Sequence, residues 1–240
     1  MPTSSSSQRK GFTPYDLKPW FTKRLSSFIF WADRKRISPD IFTLVGVLGA
    51  LAGAGVLALP IFGVHLPGEL SLALVFVFGL VVRLGGANLD GAVARARGVS
   101  RPEGFILNEL GDRISDFLLF FGLYLGTPEA LRPLVVVAAM LASIPTLVAV
   151  SGAAIGTTRF NGGPFGKTER SLAFVFAAAL LPNGLSGWQA VAYVLLLIAV
   201  SVGSVATSIK RFRKISASVK ASGTAWVDDQ PTVIRGSGSK

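Results

Sequence analysis

Carboxylates placed in apolar sequence are the most informative feature of this chain. The protein has only 13 acidic residues, and Glu103 and four others fall between residues 88 and 116, beside apolar runs of membrane-spanning length. Charges in such a place are costly unless they face a polar cavity, so they indicate a functional site. Clustered oxygen ligands suit a hard divalent cation, which in turn binds phosphate oxygens. The four acids are Asp90, Glu109, Asp112 and Asp116.

The spacing of these residues predicts two helices that share one site. Asp90 lies at the end of an apolar run, whereas Asn108, Asp112 and Asp116 are each four residues apart in the next run and form one stripe on a helix. Two adjacent antiparallel helices would present these carboxylates to one another. An alternative is that the charges only form ion pairs inside the membrane. The candidate pairs are Glu109 with Arg113, Asp112 with Arg113, and Asp90 with Arg95.

The composition predicts an all-α integral membrane protein. Half of the 240 residues are hydrophobic and 15% are charged, with a mean hydropathy of +0.56. Six apolar runs approach the length of about 20 residues that crosses a bilayer. We therefore expect six transmembrane helices, of which the fifth is the shortest. The runs cover residues 40–61, 69–88, 104–127, 131–155, 168–183 and 187–209.

The distribution of basic residues predicts how the spans are oriented. If both termini are cytoplasmic, 23 of the 24 Lys and Arg residues lie in inside segments, and only Arg132 lies outside. The net charge of +11 does not indicate a nucleic-acid partner, because the basic residues flank apolar runs. The absence of cysteine excludes thiolate catalysis and Cys-bound zinc. We expect a bacterial inner-membrane protein.

The ends of the chain differ from its apolar centre. Residues 1–13 read as disordered, and 14–36 mix aromatic and basic residues as in an N-terminal amphipathic interfacial helix. Ser38 and Pro39 are typical of a helix start. The membrane domain is expected to cover 14–213, and 214–240 to form a disordered basic tail.

The same segment resembles the motif of the CDP-alcohol phosphotransferase family. That motif reads Asp, two residues, Asp-Gly, two residues, Ala-Arg, eight or nine residues, Gly, three residues, Asp, three residues, Asp. Residues 37–43 also resemble the family's entry to its first span, so the resemblance covers nearly the whole membrane domain. Ala87 and Asn108 stand where the motif has its first and third Asp. The matching residues are Asp90, Gly91, Ala94, Arg95, Gly104 and Asp112.

The resemblance implies transfer of a phosphatidyl group from CDP-diacylglycerol to an alcohol acceptor, with release of CMP, by a homodimer in phospholipid synthesis. It implies Mg²⁺, or Mn²⁺, held by Asp90, Asn108, Asp112 and Asp116, with Asp112 as the base. Asp116 is the alternative catalytic residue, in a register shifted by one turn. Gly91, Ala94, Arg95 and Gly104 would contact the CDP. Two other readings stay open, an inactive family member that serves in assembly and a small-solute transporter.

A second group of residues, all of them basic, indicates an acceptor that carries a phosphate group. Arg159, Lys167 and Arg170 lie among glycines between the fourth and fifth runs, on the side predicted for the acids. Cations and glycine amides both favour anions, which points to glycerol 3-phosphate or a phosphorylated polyol. The alternative is an ordinary cytoplasmic loop whose charges only orient the protein.

Overall fold

The described part of the chain is helical throughout, as predicted. A computed structural model describes residues 25–63, 69–99, 101–181 and 185–222. Short 3-10 turns at Leu59–Phe62 and Glu129–Leu131 join the α-helices on one side. Within these ranges the helices are α1 (Ser26–Arg34), α2 (Pro39–Ala58), α3 (Glu69–Ala96), α4 (Pro102–Gly126), α5 (Arg132–Ala154), α6 (Lys167–Leu180) and α7 (Gly187–Ser222).

Four segments of the described chain are long and apolar enough to cross a membrane. α4 has a suitable length but carries several charges, and α6 has 14 residues, which corresponds to roughly 21 Å of helix. The expectation of an integral membrane protein therefore holds, while the count of six spans stays a prediction. The four segments are Pro39–Phe62, Leu74–Ala96, Glu129–Ala154 and Gly187–Ser222.

The two ends of the helical region can be compared with the sequence predictions. α1 covers part of the predicted interfacial helix, and residues 14–24 lie outside the described residues. α2 begins at Pro39 with Ser38 as its N-cap, as predicted. α7 continues to Ser222, so residues 214–222 are helical rather than part of a disordered tail. The reason is packing, because Ile215 is buried and lies against Gly152 of α5.

Small residues bring α2 close to α3 and α4. A β-carbon built on Gly86 of α3 would collide with the backbone carbonyl of Phe42 and lie 2.8 Å from the nitrogen of Gly46. One built on Gly122 of α4 would collide with the carbonyl of Ala54. These glycines therefore serve helix packing, and the close approach places the start of α2 beside the end of α3 that carries Asp90.

A central apolar core joins the helices and leaves the polar side chains at one end. α2 packs mainly on α3 and α4, α5 packs on α7, and α6 contacts α3 and α7. The Phe120 and Phe174 rings meet edge to face at 4.8 Å between their centroids, which couples α4 to α6. The core therefore fixes α3, α4 and α6 relative to one another, and these three helices carry the polar residues.

We predict that Gly86→Ala destabilises the protein by about 1–3 kcal/mol, because the added methyl group forces α2 away from α3. The measurement is thermal unfolding in detergent. Gly85→Ala is the matched control, since a β-carbon at the neighbouring residue of α3 has nothing within 4 Å. Equal unfolding temperatures for the two variants would contradict the packing account.

Candidate active site

Asp90 is held on α3 by α2. Its carboxylate is buried and accepts a hydrogen bond from Oγ1 of Thr43 at 2.8 Å and one from the backbone N–H of Gly91 at 2.5 Å. Each carboxylate oxygen has a second lone pair, so Asp90 can still bind a cation. The sequence analysis gave Thr43 no role in the site. The helix approach at Gly86 explains how it reaches Asp90.

The predicted stripe on α4 faces α3 and α6. Oδ1 of Asp112 accepts a hydrogen bond from Nζ of Lys167 at 2.5 Å, and both residues act electrostatically on Asp90. One turn before Asp112, Oδ1 of Asn108 is buried and has no hydrogen-bond partner among the residues described. The structure therefore brings Asp90, Asp112 and Lys167 together, and it leaves the Asn108 oxygen available to a ligand.

Asp116 has a different environment from the one predicted. Its carboxylate is buried and ion-paired with the guanidinium of Arg83, with Arg113 at 3.0 Å and with Arg170 at 2.9 Å. Arg83 also donates to Oγ of Ser171 at 3.1 Å. The two carboxylate oxygens of Asp116 are already paired with three cations. This pairing argues against Asp116 as a base or a metal ligand. It indicates a structural carboxylate that holds arginines in place.

Arg83 is the site residue that the sequence analysis overlooked. It lies within the apolar run of α3 and its side chain is only 1% exposed. In the sequence it is one of the positive charges predicted to lie on the inside of the membrane. An arginine within a membrane span needs a buried acid as its partner, and for Arg83 that acid is Asp116.

The three predicted acceptor-side cations each have an acidic partner on α4. Arg159 pairs with Glu109, Lys167 with Asp112 and Arg170 with Asp116. These three side chains therefore lie in the same polar cluster as the acids of α4. Of the alternative pairs considered from sequence, Glu109–Arg113 occurs, with Nε and Oε1 3.9 Å apart.

The polar cluster contains more basic side chains than acidic ones. Arg211 of α7 is buried, donates only to backbone carbonyls in the described structure, and repels Arg113, Arg159 and Arg170. Nε atoms of several of these arginines are buried without an acceptor among the described residues. Donors left in this way favour a bound anion. The atoms are Nε of Arg83, Arg113, Arg159 and Arg170.

Arginine side chains lie beside the two glycines of the motif. A β-carbon on Gly91 would have as nearest neighbour the guanidinium of Arg95, at 3.0 Å, and one on Gly104 the side chain of Arg101, at 3.5 Å. Ala94 lies one turn beyond Asp90 on α3. Flexible side chains rather than backbone therefore border these glycines, and a ligand can approach α3 there.

The oxygen donors present fit one divalent cation. Within the described residues no three His, Cys, Asp or Glu side chains form a metal-binding group. Mg²⁺ in proteins is commonly held by one or two carboxylates together with substrate phosphates. Asp90 supplies one carboxylate, the unpartnered Oδ1 of Asn108 is a further oxygen donor on α4, and Ala87 offers no ligand.

The chain is similar to known membrane proteins, although no family model matches it. It is 30% identical over 162 residues to the inner membrane protein YnbA of Escherichia coli, an alignment that covers 68% of this chain and 77% of YnbA. It is also 30% identical over 202 residues to the phosphatidylinositol phosphate synthase of Streptomyces avermitilis, covering 81% and 78% of the two chains. The chain belongs to the CDP-alcohol phosphotransferase family.

Solved structures agree with this assignment. The phosphatidylinositol phosphate synthase of Mycobacterium tuberculosis with CDP-DAG bound matches with a TM-score of 0.60 at 26% identity, over 79% of this chain and 92% of that chain. The same enzyme in complex with manganese and citrate matches with a TM-score of 0.60 at 24% identity, over 79% and 88%. The protein is a CDP-alcohol phosphatidyltransferase, a membrane transferase of phospholipid synthesis, and its YnbA relative supports an inner-membrane location.

We predict that Asp116→Asn lowers the free energy of unfolding of this phosphatidyltransferase by roughly 3–5 kcal/mol, because three guanidiniums lose their shared counter-charge in a buried site. Chemical unfolding in detergent measures this. Glu129→Gln is the control, since Glu129 pairs with Arg132 but is 89% exposed, and little change is expected. If Asp116→Asn unfolds like the control, the carboxylate does not hold the cluster.

Proposed function

We propose that this enzyme transfers the phosphatidyl group of CDP-diacylglycerol to an acceptor alcohol that carries a phosphate, with release of CMP. The observation that supports this most is the grouping of Asp90, Asp112 and Lys167 at the edge of a cluster in which cations exceed acids. Carboxylates suit a metal and a base, and surplus arginines suit anionic substrates. Glycerol 3-phosphate or a phosphorylated polyol fits this charge better than a neutral alcohol.

The reaction needs one proton acceptor and a positioned pair of substrates. The acceptor hydroxyl oxygen forms a bond to the phosphorus that carries the diacylglycerol, and the bond from that phosphorus to the bridging oxygen breaks. CMP leaves with the electron pair, and Asp112 takes the hydroxyl proton. Positioning and neutralisation of charge supply most of the acceleration in such transfers. The ion pair with Lys167 orients Asp112 for this task.

The other motif residues bind and orient the CDP part. Gly91 and Ala94 allow the nucleotide to lie against α3, and Arg95 beside Gly91 is placed to meet its phosphates. Asp90 and Asn108 would hold Mg²⁺, or Mn²⁺, which when bound offsets negative charge on the pyrophosphate. Asp112 is proposed as the base rather than a ligand because its Oδ1 is already paired with Lys167.

The acceptor phosphate is proposed to bind the cations of α6, α7 and the loop before α6. Arg211 lies close enough to Arg159 and Arg170 to be repelled by both, and an incoming phosphate would relieve that repulsion. We further propose that the protein is a homodimer in a bacterial inner membrane. Both termini are proposed to lie in the cytoplasm, as the distribution of basic residues predicts.

The central prediction is that purified protein releases CMP from CDP-diacylglycerol when Mg²⁺ or Mn²⁺ and a phosphorylated polyol are present. Asp90→Asn and Asp112→Asn should each lower kcat at least about 100-fold, since they remove a metal ligand and the base. Glu129→Gln, far from the site, should retain full activity. Folded wild-type protein that releases no CMP with any metal or acceptor would favour the inactive, assembly-only reading.

A second prediction concerns the acceptor. Arg159→Gln should raise KM for a phosphorylated acceptor about tenfold, the effect of one lost charge-assisted contact, and should leave KM for CDP-diacylglycerol nearly unchanged. Initial CMP-release rates with glycerol 3-phosphate and with glycerol provide the comparison. Arg213→Gln is the matched control because Arg213 is exposed on α7. Equal use of the two acceptors by the wild type would refute a phosphate-binding acceptor site.

A further inference from the structure

Lys167 acts on both motif carboxylates that this chain retains. Its Nζ lies 2.5 Å from Oδ1 of Asp112, and its charge also acts on Asp90. The side chains of Lys167 and Asp112 are 27% and 17% exposed, so water screens the pair only in part. An ammonium in this position offsets the charge of Asp112, which would otherwise attract a further metal ion.

The start of α6 fixes the position of Lys167. The backbone N–H of Gly166 donates to Oε2 of Glu169 at 2.9 Å, which caps the helix. The carbonyl of Lys167 accepts a hydrogen bond from Oγ of Ser171 at 2.9 Å, and Ser171 in turn accepts one from Arg83. Lys167 therefore belongs to a rigid helix terminus tied to the arginine cluster, and not to a free loop.

The charge of the site leaves no place for two divalent cations. The family motif has four acids, but positions 87 and 108 are neutral in this chain. Around the site the described structure has four carboxylates and, besides Arg211, five cations, so the cluster is already positive before a metal binds. A further divalent cation would be repelled by the residues that remain. The carboxylates are Asp90, Glu109, Asp112 and Asp116, and the cations are Arg83, Arg113, Arg159, Lys167 and Arg170.

We propose that Lys167 takes the place of a second metal ion, so that this chain holds a single divalent cation at Asp90 and Asn108 and uses the Lys167 ammonium to hold Asp112. The inference rests on the proposed phosphatidyl transfer. It accounts for both neutral motif positions, because an ammonium fixed beside Asp112 lowers the negative charge of the site, as the absence of carboxylates at positions 87 and 108 does. It also explains why Asn108 keeps an oxygen without a partner.

The test is a Mn²⁺ titration of the full-length protein in lipid nanodiscs with CDP-diacylglycerol and no acceptor, with free Mn²⁺ followed by electron paramagnetic resonance. The wild type should bind one Mn²⁺ per chain. Lys167→Met, which keeps the length of the side chain and removes its charge, should bind a second Mn²⁺ about tenfold or more tightly than the wild type does. Lys210→Met, an exposed lysine of α7, should behave as the wild type.

The outcomes separate this inference from the proposed function. Two Mn²⁺ ions, or none, on the wild type would overturn it, and so would unchanged Mn²⁺ binding in Lys167→Met. The wild-type stoichiometry decides the matter even if Lys167→Met does not fold. CMP release is measured on the same preparation. One Mn²⁺ without CMP release would contradict the proposed function alone, whereas CMP release with two Mn²⁺ would contradict only the role of Lys167.

Discussion

The structure depends on one buried carboxylate shared by three guanidiniums. Asp116 accepts from Arg83 of α3, Arg113 of α4 and Arg170 of α6, and so it joins the three helices that carry the polar residues. Without it, Arg83 and Arg170 would lose their carboxylate partner among apolar helices, and Arg113 would keep only Glu109, which is costly in a medium of low dielectric. Asp112 lies one turn before Asp116 on α4, and Asp90 lies on α3, which Arg83 ties to Asp116. The positions of both motif acids therefore depend on how this cluster fixes the helices.

Helix packing supplies the second constraint, because the catalytic end of α3 is positioned by α2. Gly86 and Gly46 let the two backbones approach, and this approach lets Thr43 donate to the buried Asp90. Residues that do no chemistry therefore hold the Asp90 carboxylate in place, and each of its oxygens keeps a second lone pair for a cation. A membrane enzyme of this kind needs small residues as much as charged ones, since packing rather than the hydrophobic effect holds its helices together.

Much of this arrangement could be predicted from the sequence, and the features that could not be predicted depend on contacts between distant segments. The four-residue spacing of Asn108, Asp112 and Asp116 correctly indicated one helical stripe, because that spacing depends only on local geometry. The partners of each acid depend on other helices, so the ring of arginines around Asp116 and the pairing of Lys167 with Asp112 could not be read from the spacing. Arg83 was visible in the sequence, since an arginine within an apolar run needs a counter-charge. The extension of α7 to Ser222 depends on Ile215 packing on Gly152, a contact between distant segments.

The central claim is that a cation-rich phosphatidyltransferase site lies between α3, α4 and α6, with Asp90 and Asp112 at its centre. An experimental structure with CDP-diacylglycerol and Mn²⁺, in which anomalous scattering locates the manganese, tests it most directly. The account predicts manganese at Asp90 and Asn108, the pyrophosphate beside Gly91 and Arg95, and Lys167 still against Asp112. A nucleotide bound elsewhere, or manganese bound away from Asp90, would contradict it.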